Sequence, residues 1–440
     1  MRGNMDEFIK TLTEQVRCVK AREAIGQEIR NHIMDQAEHY VEEGMEHEQA
    51  LKEAVRQMGD PVAIGVELDH IHRPQMEWGM LCMAVAFGVA GLLLQYLTGC
   101  LPSGEGAFAR QCIYMGIGFV MMAGIYYLDY SFIGNHAKEL YAAAVLLVLI
   151  SPHILISTNG MYRGMIMPMY LFIPLYAGIL YQYRGQGGGG VLKSIFFLIV
   201  PGILAWRLIP SMPTGIHLFL IGGCMLLIAV YRNWFTVDRN KTIVILFATG
   251  VLLPALLTLF SWFFLMADYQ KVRLGAFVNP ELYAQGPGYI YGWVRSTLAQ
   301  SRFFGPSGFE TEYLADSGLL LVQLIASYGS FSGILVIAAL TAVILRAFHI
   351  SAAQKNHLGF MIGAGIGLTF LLLVTEGIAV NFTILPATTV TMPFLTYGGG
   401  ATIVYDILIG LLLAAYRYRN ILGEKSYRAR WKIGLKMQKL

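Results

Sequence analysis

The chain has 440 residues, 56% hydrophobic and only 14% charged, with a formal net charge of +4. Soluble chains carry about 25% charged residues, and the Gly and Tyr content forms no repeats or low-complexity tracts, so soluble multidomain, collagen-like and disordered classes are excluded. The composition predicts an all-α polytopic membrane protein of about ten transmembrane helices with a small soluble N-terminal helical bundle.

Residues 1–76 hold 9 Lys/Arg against 15 Asp/Glu, whereas the remainder holds 23 against 13. An acidic head on a basic body marks two modules. Three amphipathic stripes run through the head: Phe8, Ile9, Leu12 and Val16; Ile25, Ile29, Ile33 and Tyr40; Leu51, Ala54, Val55 and Met58. Gly44 and Gly59 stop two helices, and Asp60-Pro61 starts a fourth as N-cap and first helical residue. This pattern resembles the small prefix domain ahead of the membrane region in some bacterial permeases, and residues 1–76 are expected to be a cytoplasmic helical prefix domain. Cys18, Cys82, Cys100, Cys112 and Cys224 show no CxxC or zinc spacing and are expected as small buried apolar side chains. No cleavable signal peptide is expected, since the first apolar run begins near Trp78 behind the charged head.

From Trp78 onward, apolar runs long enough to span a membrane fall near 78–99, 111–130, 139–157, 164–182, 194–209, 215–231, 243–266, 317–345, 358–379 and 400–416. The fifth is interrupted by Pro201, Arg207 and Pro210, and the eighth is long enough to kink at Gly329 or Gly333. With both termini cytoplasmic, the inner side carries sixteen Lys/Arg and the outer side seven, so the positive-inside rule sets that orientation. Trp78, Trp206, Trp234 and Trp262 lie near span ends, where amphipathic rings gather. The membrane domain is placed at 77–425 and a basic cytoplasmic tail at 426–440. On the outer side, residues 268–316 form a long loop with charges of both signs, and 380–398 form an uncharged stretch rich in Thr and Pro. Loops of that length are usually functional or disordered.

Function is expected on this outer face. Gly398-Gly399-Gly400 allows close backbone approach to a ligand or a neighbouring helix; the plain alternative is a flexible turn. Lys271, Arg273, Arg295 and Arg302 supply cations suited to a diphosphate headgroup; the plain alternative is snorkelling at the interface. The run Leu385-Pro386-Ala387-Thr388 through Pro393-Phe394-Leu395-Thr396-Tyr397-Gly398-Gly399 resembles the LPxTGxPLPFxSYGGSS motif of the FtsW/RodA/SpoVE, or SEDS, family. Upstream, Tyr269-Gln270-Lys271-Val272-Arg273-Leu274, Phe277, Asn279-Pro280-Glu281 and Gly288-Tyr289 resemble that family's YQxxRixxFlNPe…GYQ stretch. The resemblance covers roughly residues 78–425.

It implies a peptidoglycan glycosyltransferase that polymerises lipid II, the undecaprenyl-diphosphate-linked disaccharide-pentapeptide, at the outer leaflet during division, elongation or sporulation. Such chemistry needs a carboxylate to accept the proton of the attacking hydroxyl, and cationic help for the departing diphosphate. The family carboxylate lies in a TDFIF-like stretch, which makes Asp316, two places early by counting, and Glu312 the catalytic candidates. Lys271, Arg273, Arg295, Tyr397, Gly398 and Gly399 become candidate substrate contacts. Implied partners are a class B penicillin-binding protein acting as transpeptidase and membrane lipids; no nucleic acid is expected. No cofactor is required outright, with a divalent cation the one that the resemblance allows, and no protein metal site is expected.

The chain departs from the family where PDLGT becomes Pro210-Ser211-Met212-Pro213-Thr214, where QPSE is absent near Met167-Pro168-Met169-Tyr170, and at Thr389 and Thr391. Asn381 resembles an Asn that the family carries near this loop. The alternatives are a non-catalytic scaffold or regulator of the same type, or a transporter of lipid-linked precursor. Glu376 and Asp406 are ionisable groups in or beside apolar spans, read as functional or as structural hydrogen-bonding groups. His153 is expected to pack in the core, and Gly363, Gly365 and Gly367 to serve close helix packing.

Overall fold

The computed structural model describes residues 2–98, 101, 106–157, 160–252, 256, 259, 268–308, 319–388 and 392–420, and its regular elements are helical. The chain divides into two compact units, residues 1–77 with 416–425, and residues 78–415 with 426–440.

In the first unit the helices Arg2–Gln15, Val19–Glu42, His47–Gln57 and Pro61–His72 follow the apolar stripes. Phe8, Ile9, Leu12, Val16, Ile25, Ile33, Ala50 and Ala54 form the core. Gly44 (φ 100°) and Gly59 (φ 88°) end two helices in the left-handed region open to glycine. The Asp60 carboxylate accepts from Val62 N at 3.1 Å ahead of Pro61, as the N-cap pattern requires. A Cβ at Gly65 would stand 2.5 Å from Leu12 O, so the first and fourth helices touch backbone to backbone. Asp69, beside it, accepts from Arg17 N at 2.8 Å. Residues beyond the last long helix join this unit: Asn420 Nδ2 donates to Ile71 O at 3.4 Å, and Gln75 N to Arg417 O at 3.4 Å.

Nine helices among the described residues of the chain are long and apolar enough to cross a membrane: Trp78–Leu97, Ala107–Tyr127, Ala137–Ile154, Arg163–Gln182, Gly188–Arg207, Met212–Tyr231, Ser330–Ala352, His357–Asn381 and Gly399–Arg417. The expected span at 243–266 lies largely outside the described residues, which there hold Arg239–Phe247 and a wider turn at Ala248–Leu252. The fifth span begins earlier than expected, at Gly188, and carries Pro201 inside it.

Two spans are broken. The fourth is interrupted by the 3₁₀ turn Pro168–Leu171, because Pro168 offers no N–H to a continuing helix. The eighth is split at Gly329 into a buried half-helix, Leu320–Tyr328, and the span Ser330–Ala352, so the crossing ends seven residues deeper than the apolar run suggested. Gly329 sits at φ 95°, ψ 166°, where a Cβ would come within 2.6 Å of Phe303 O.

His357–Asn381 is central. Its Gly363 and Gly367 face Ser351 and Phe348, and its Gly365 faces Ile173 and Met225, so small residues let three helices close on it. Facing outward from the bundle are Val120, Ile154, Leu192 and Leu345, as lipid contact demands. Cys82 and Cys224 are exposed rather than buried, and so is His153, because apolar spans carry such residues on either face. Trp78 and Trp206 are exposed near helix ends, whereas Trp234 is buried against Tyr181 and His357.

Candidate functional site

The long loop and the 382–398 segment gather at one end of the membrane unit, called here the loop face, and the Leu320–Tyr328 half-helix is its hub. Asn381 ends the central helix there; its side-chain oxygen accepts from Val322 N at 3.2 Å while its Nδ2 donates to Gly377 O at 2.8 Å. One helix thus caps the start of another, satisfying an N–H that would otherwise be buried without a partner. Gln323, also on the half-helix, donates to Thr98 O at the end of the first span. At the opposite end of the half-helix, loop residues 302–307 are stitched to the Gly329 corner. Ser330 N donates to Arg302 O (2.8 Å), Phe331 N to Phe303 O (3.1 Å), Gly305 N to Tyr328 O (3.1 Å) and Ser307 N to Ala326 O (2.8 Å).

Two short helices complete this side of the loop, Asp268–Val278 and Tyr289–Ala299. Val294 of the latter packs with Leu319 and Val322 of the half-helix, flanked by Trp293 and Val380. Arg295 donates to Phe277 O at 3.1 Å and to Thr383 Oγ1 at 3.4 Å, and Ala387 N donates to the Tyr291 hydroxyl at 3.2 Å. The two stretches that carry the family resemblance are therefore clasped together. Arg295 is a clasp that spends Nε and Nη2 on protein oxygens. Lys271 is exposed, with its ammonium 3.8 Å from the Asp268 carboxylate, and Arg273 is exposed on the same helix.

The second part of the loop face is the turn from Met392 to Gly399. Phe394 adopts φ 63°, a conformation that costs a non-glycine residue about 1–3 kcal/mol. Its ring is held between Phe87 (5.6 Å), Phe370 (5.8 Å, stacked) and Tyr405 (5.7 Å), and its carbonyl presses on Gly91, where no Cβ would fit. Gln95 donates to Leu395 O at 3.0 Å. From the second span, three residues on successive faces grip the glycines. Arg110 Nε donates to the Tyr397 hydroxyl (3.4 Å), and Gln111 accepts from Gly398 N (3.2 Å) and donates to Thr402 Oγ1 (3.1 Å). The ring of Tyr114 lies so close that a Cβ at Gly399 would be 2.7 Å from it. Gly398 itself, at φ 147°, has open space around its Cα.

Thr98 and Gln95 belong to one helix end, so the half-helix and the Tyr397 turn meet around the same first-span terminus. Sequence reasoning put Tyr397, Gly398 and Gly399 here but missed Arg110, Gln111 and Tyr114 as the groups that hold them, and Asn381 as the cap of the half-helix. Glu312 and Asp316 lie outside the described residues, in the stretch immediately before the half-helix.

Beneath the loop face lies a buried polar node that the sequence reading half found. Glu376 lies one and a half turns below Asn381, about 7.5 Å along the axis. Its Oε2 is 3.0 Å from His217 Nε2, and His217 Nδ1 is 2.7 Å from the Tyr170 hydroxyl on the broken fourth span. Tyr170, His217 and Glu376 are 0%, 6% and 8% exposed. The His217 ring thus stands between the carboxylate and the phenol, with one ring nitrogen facing each. The signal available beforehand was a single His in an apolar run, with no spacing to pair it with Glu376. Asp406 is buried against the second span, where its carboxylate occupies the place that a side chain at Gly118 would need.

These features define a class: a multi-pass helical membrane protein with a broken fourth span, a split eighth segment and a glycine turn before its last helix, all converging on one loop-covered end. The chain belongs to the FtsW/RodA/SpoVE family of cell cycle proteins, whose model matches residues 78–421. It is 22% identical over 348 residues to the peptidoglycan glycosyltransferase MrdB of Helicobacter pylori strain ATCC 700392 / 26695, covering 72% of this chain and 85% of that protein. It is 23% identical over 340 residues to the stage V sporulation protein E of Bacillus subtilis strain 168, covering 70% and 86%. Among solved structures, a chain of a peptidoglycan synthase complex superposes with a TM-score of 0.62 at 19% identity, over 78% of this chain and 98% of that one. The rod shape determining protein RodA of Thermus thermophilus superposes with a TM-score of 0.52 at 16% identity, over 78% and 97%. At those identities the structural likeness speaks for the fold.

Proposed function

We propose that this protein is a SEDS-type peptidoglycan glycosyltransferase that polymerises lipid II at the outer leaflet of the bacterial plasma membrane. The observation that carries the reading is the family match over residues 78–421 joined to a loop face on which both resembling stretches converge. In this reaction an acceptor sugar hydroxyl attacks the anomeric carbon of a second lipid-linked sugar. A C–O bond forms, the bond to the diphosphate breaks, and a carboxylate accepts the hydroxyl proton. Asp316, with Glu312 as the second candidate, is assigned that role on the family resemblance; both precede the half-helix capped by Asn381. The loop face is assigned to the cell exterior and both termini to the cytoplasm because sixteen basic residues fall on the opposite side and seven on this one.

A class B penicillin-binding protein is the proposed partner; the likeness to a chain of a peptidoglycan synthase complex supports it. Among the described residues no group of three or more His, Cys, Asp or Glu could hold a metal ion. A divalent cation is therefore proposed to arrive with the substrate diphosphate, and no step is routed through it. A non-catalytic scaffold is the second reading. It is favoured by Ser211, which stands at the family's Asp position, fully buried with its hydroxyl 2.8 Å from Thr214 Oγ1.

The test is lipid II polymerisation by the purified full chain with candidate transpeptidase partners, beside Asp316→Asn and Glu312→Gln. Glycan from wild type and none from Asp316→Asn assigns the base. A wild type that makes no glycan with any partner, while remaining folded, leaves the scaffold reading.

A further inference from the structure

We propose that Arg110 and the Tyr397 hydroxyl form the contact for the diphosphate of the lipid-linked substrate, an inference that rests on the polymerase reading above. The outer cations named from the sequence are differently placed: Arg295 gives Nε to Thr383 and Nη2 to Phe277 O, Lys271 lies beside Asp268, Arg273 is exposed on the same helix as Lys271, and among the described residues none of the three hydrogen-bonds the Tyr397–Gly399 turn. Arg110 is exposed at the loop-face end of the second span, and no carboxylate among the described residues pairs with it. Its Nε is spent on the Tyr397 hydroxyl oxygen at 3.4 Å, which leaves both terminal nitrogens as donors and the phenol proton as another.

That pair is anchored rather than loose. The next residue, Gln111, holds Gly398 and Thr402, and Tyr114 one turn on closes against Gly399. A planar fork beside a hydroxyl, held on a fixed turn, matches the oxygens of a phosphate, which accept in pairs. Phosphate oxygens also occur on ordinary phospholipids, so the chemistry alone names the group and the experiment must name its source.

The experiment uses the full chain in phosphatidylcholine nanodiscs. Binding of undecaprenyl diphosphate, undecaprenol and inorganic diphosphate is followed by native mass spectrometry, with parallel discs containing phosphatidylglycerol. Arg110→Gln is expected to weaken undecaprenyl diphosphate binding roughly ten- to a hundredfold, with undecaprenol unchanged. Arg110→Lys should fall between, as a point charge without the fork, and Tyr397→Phe should cost severalfold. Phosphatidylglycerol in equal amount should leave the bound diphosphate in place.

Unchanged binding in Arg110→Gln with a wild-type thermal transition overturns the proposal, as does displacement by equal phosphatidylglycerol, which would make Arg110 a general headgroup contact. Should Arg110→Gln fail to fold, Arg110→Lys and Tyr397→Phe decide: wild-type affinity in both overturns the proposal. Arg110-dependent binding by a protein that makes no glycan sinks the polymerase reading and leaves this site. Glycan synthesis with Arg110-independent binding does the reverse.

Discussion

Replacing Gly329 by alanine should disrupt the loop face far more than the same change at Gly333, although both glycines are equally crowded. At Gly329 two costs add. The backbone lies at φ 95°, ψ 166°, where a residue with a Cβ carries about 1–3 kcal/mol of strain. The new Cβ would also stand 2.6 Å from Phe303 O and 2.9 Å from Phe303 C, backbone atoms that cannot swing aside. Relief requires part of the 302–307 stretch to leave the corner, and its backbone hydrogen bonds are each worth about 0.5–1.5 kcal/mol net. The sum is about 2–5 kcal/mol.

At Gly333 the Cβ would meet Ile325 Cγ1 at the same 2.6 Å; Ile325 is buried and β-branched, so it must shift as a whole, but the glycine has no positive φ and faces no backbone atom that close. Alanine also gains about 1 kcal/mol over glycine within a helix. Set against an overpacking cost of about 1–3 kcal/mol, the expected net loss for Gly333→Ala is about 0–2 kcal/mol. Equilibrium unfolding of both variants by titrating a denaturing detergent into mild micelles measures the difference. A Gly329→Ala protein as stable as wild type, or a Gly333→Ala protein equally damaged, would refute the reasoning.

Asn381→Ala should lose about 1–2 kcal/mol through the uncapped half-helix, and Asn381→Asp, which keeps the acceptor but sets an oxygen against Gly377 O where Nδ2 donates, should not recover it in the same unfolding assay. Glu376→Ala should cost about 1–3 kcal/mol by leaving the buried His217 Nε2 without its neighbour, whereas His217→Phe combined with Glu376→Leu should cost less than the sum of the single changes, read from a double-mutant cycle. Arg295→Lys cannot reach both Phe277 O and Thr383, so limited proteolysis should cut the 381–388 stretch faster than in wild type while the spans stay intact.

The apolar runs gave rough bounds for the nine spans found among the described residues, since a membrane admits few alternatives to a helix. Local chemistry gave more: Asp60-Pro61 is the N-cap and first turn expected, and Gly329 is the corner. What stayed hidden was pairing across long separations. His217 and Glu376 are 159 residues apart, and nothing local to either announces the other. Exposure was equally hard to read, because a lipid-facing surface is as apolar as a bundle-facing one; Cys82, Cys224 and His153 illustrate that. Glycines were the exception. Gly363, Gly365 and Gly399, expected to allow close approach, each mark a place where another chain segment comes too near for a Cβ. In the site, the motif stretches could be read and the groups that bond to them could not, because Arg110, Gln111 and Asn381 lie on other helices and act through one or two hydrogen bonds each.

A polymerase of outer-leaflet lipid II requires the loop face to look out of the cell. Single cysteines at Lys271, Arg273 and Lys355, in a background lacking the native five, can be probed with a membrane-impermeant maleimide on intact cells and again after permeabilisation. The account predicts labelling of 271 and 273 from outside, and of 355 only after the membrane is opened. Labelling of 355 on intact cells, with 271 and 273 shielded until permeabilisation, would put the loop face in the cytosol and contradict it.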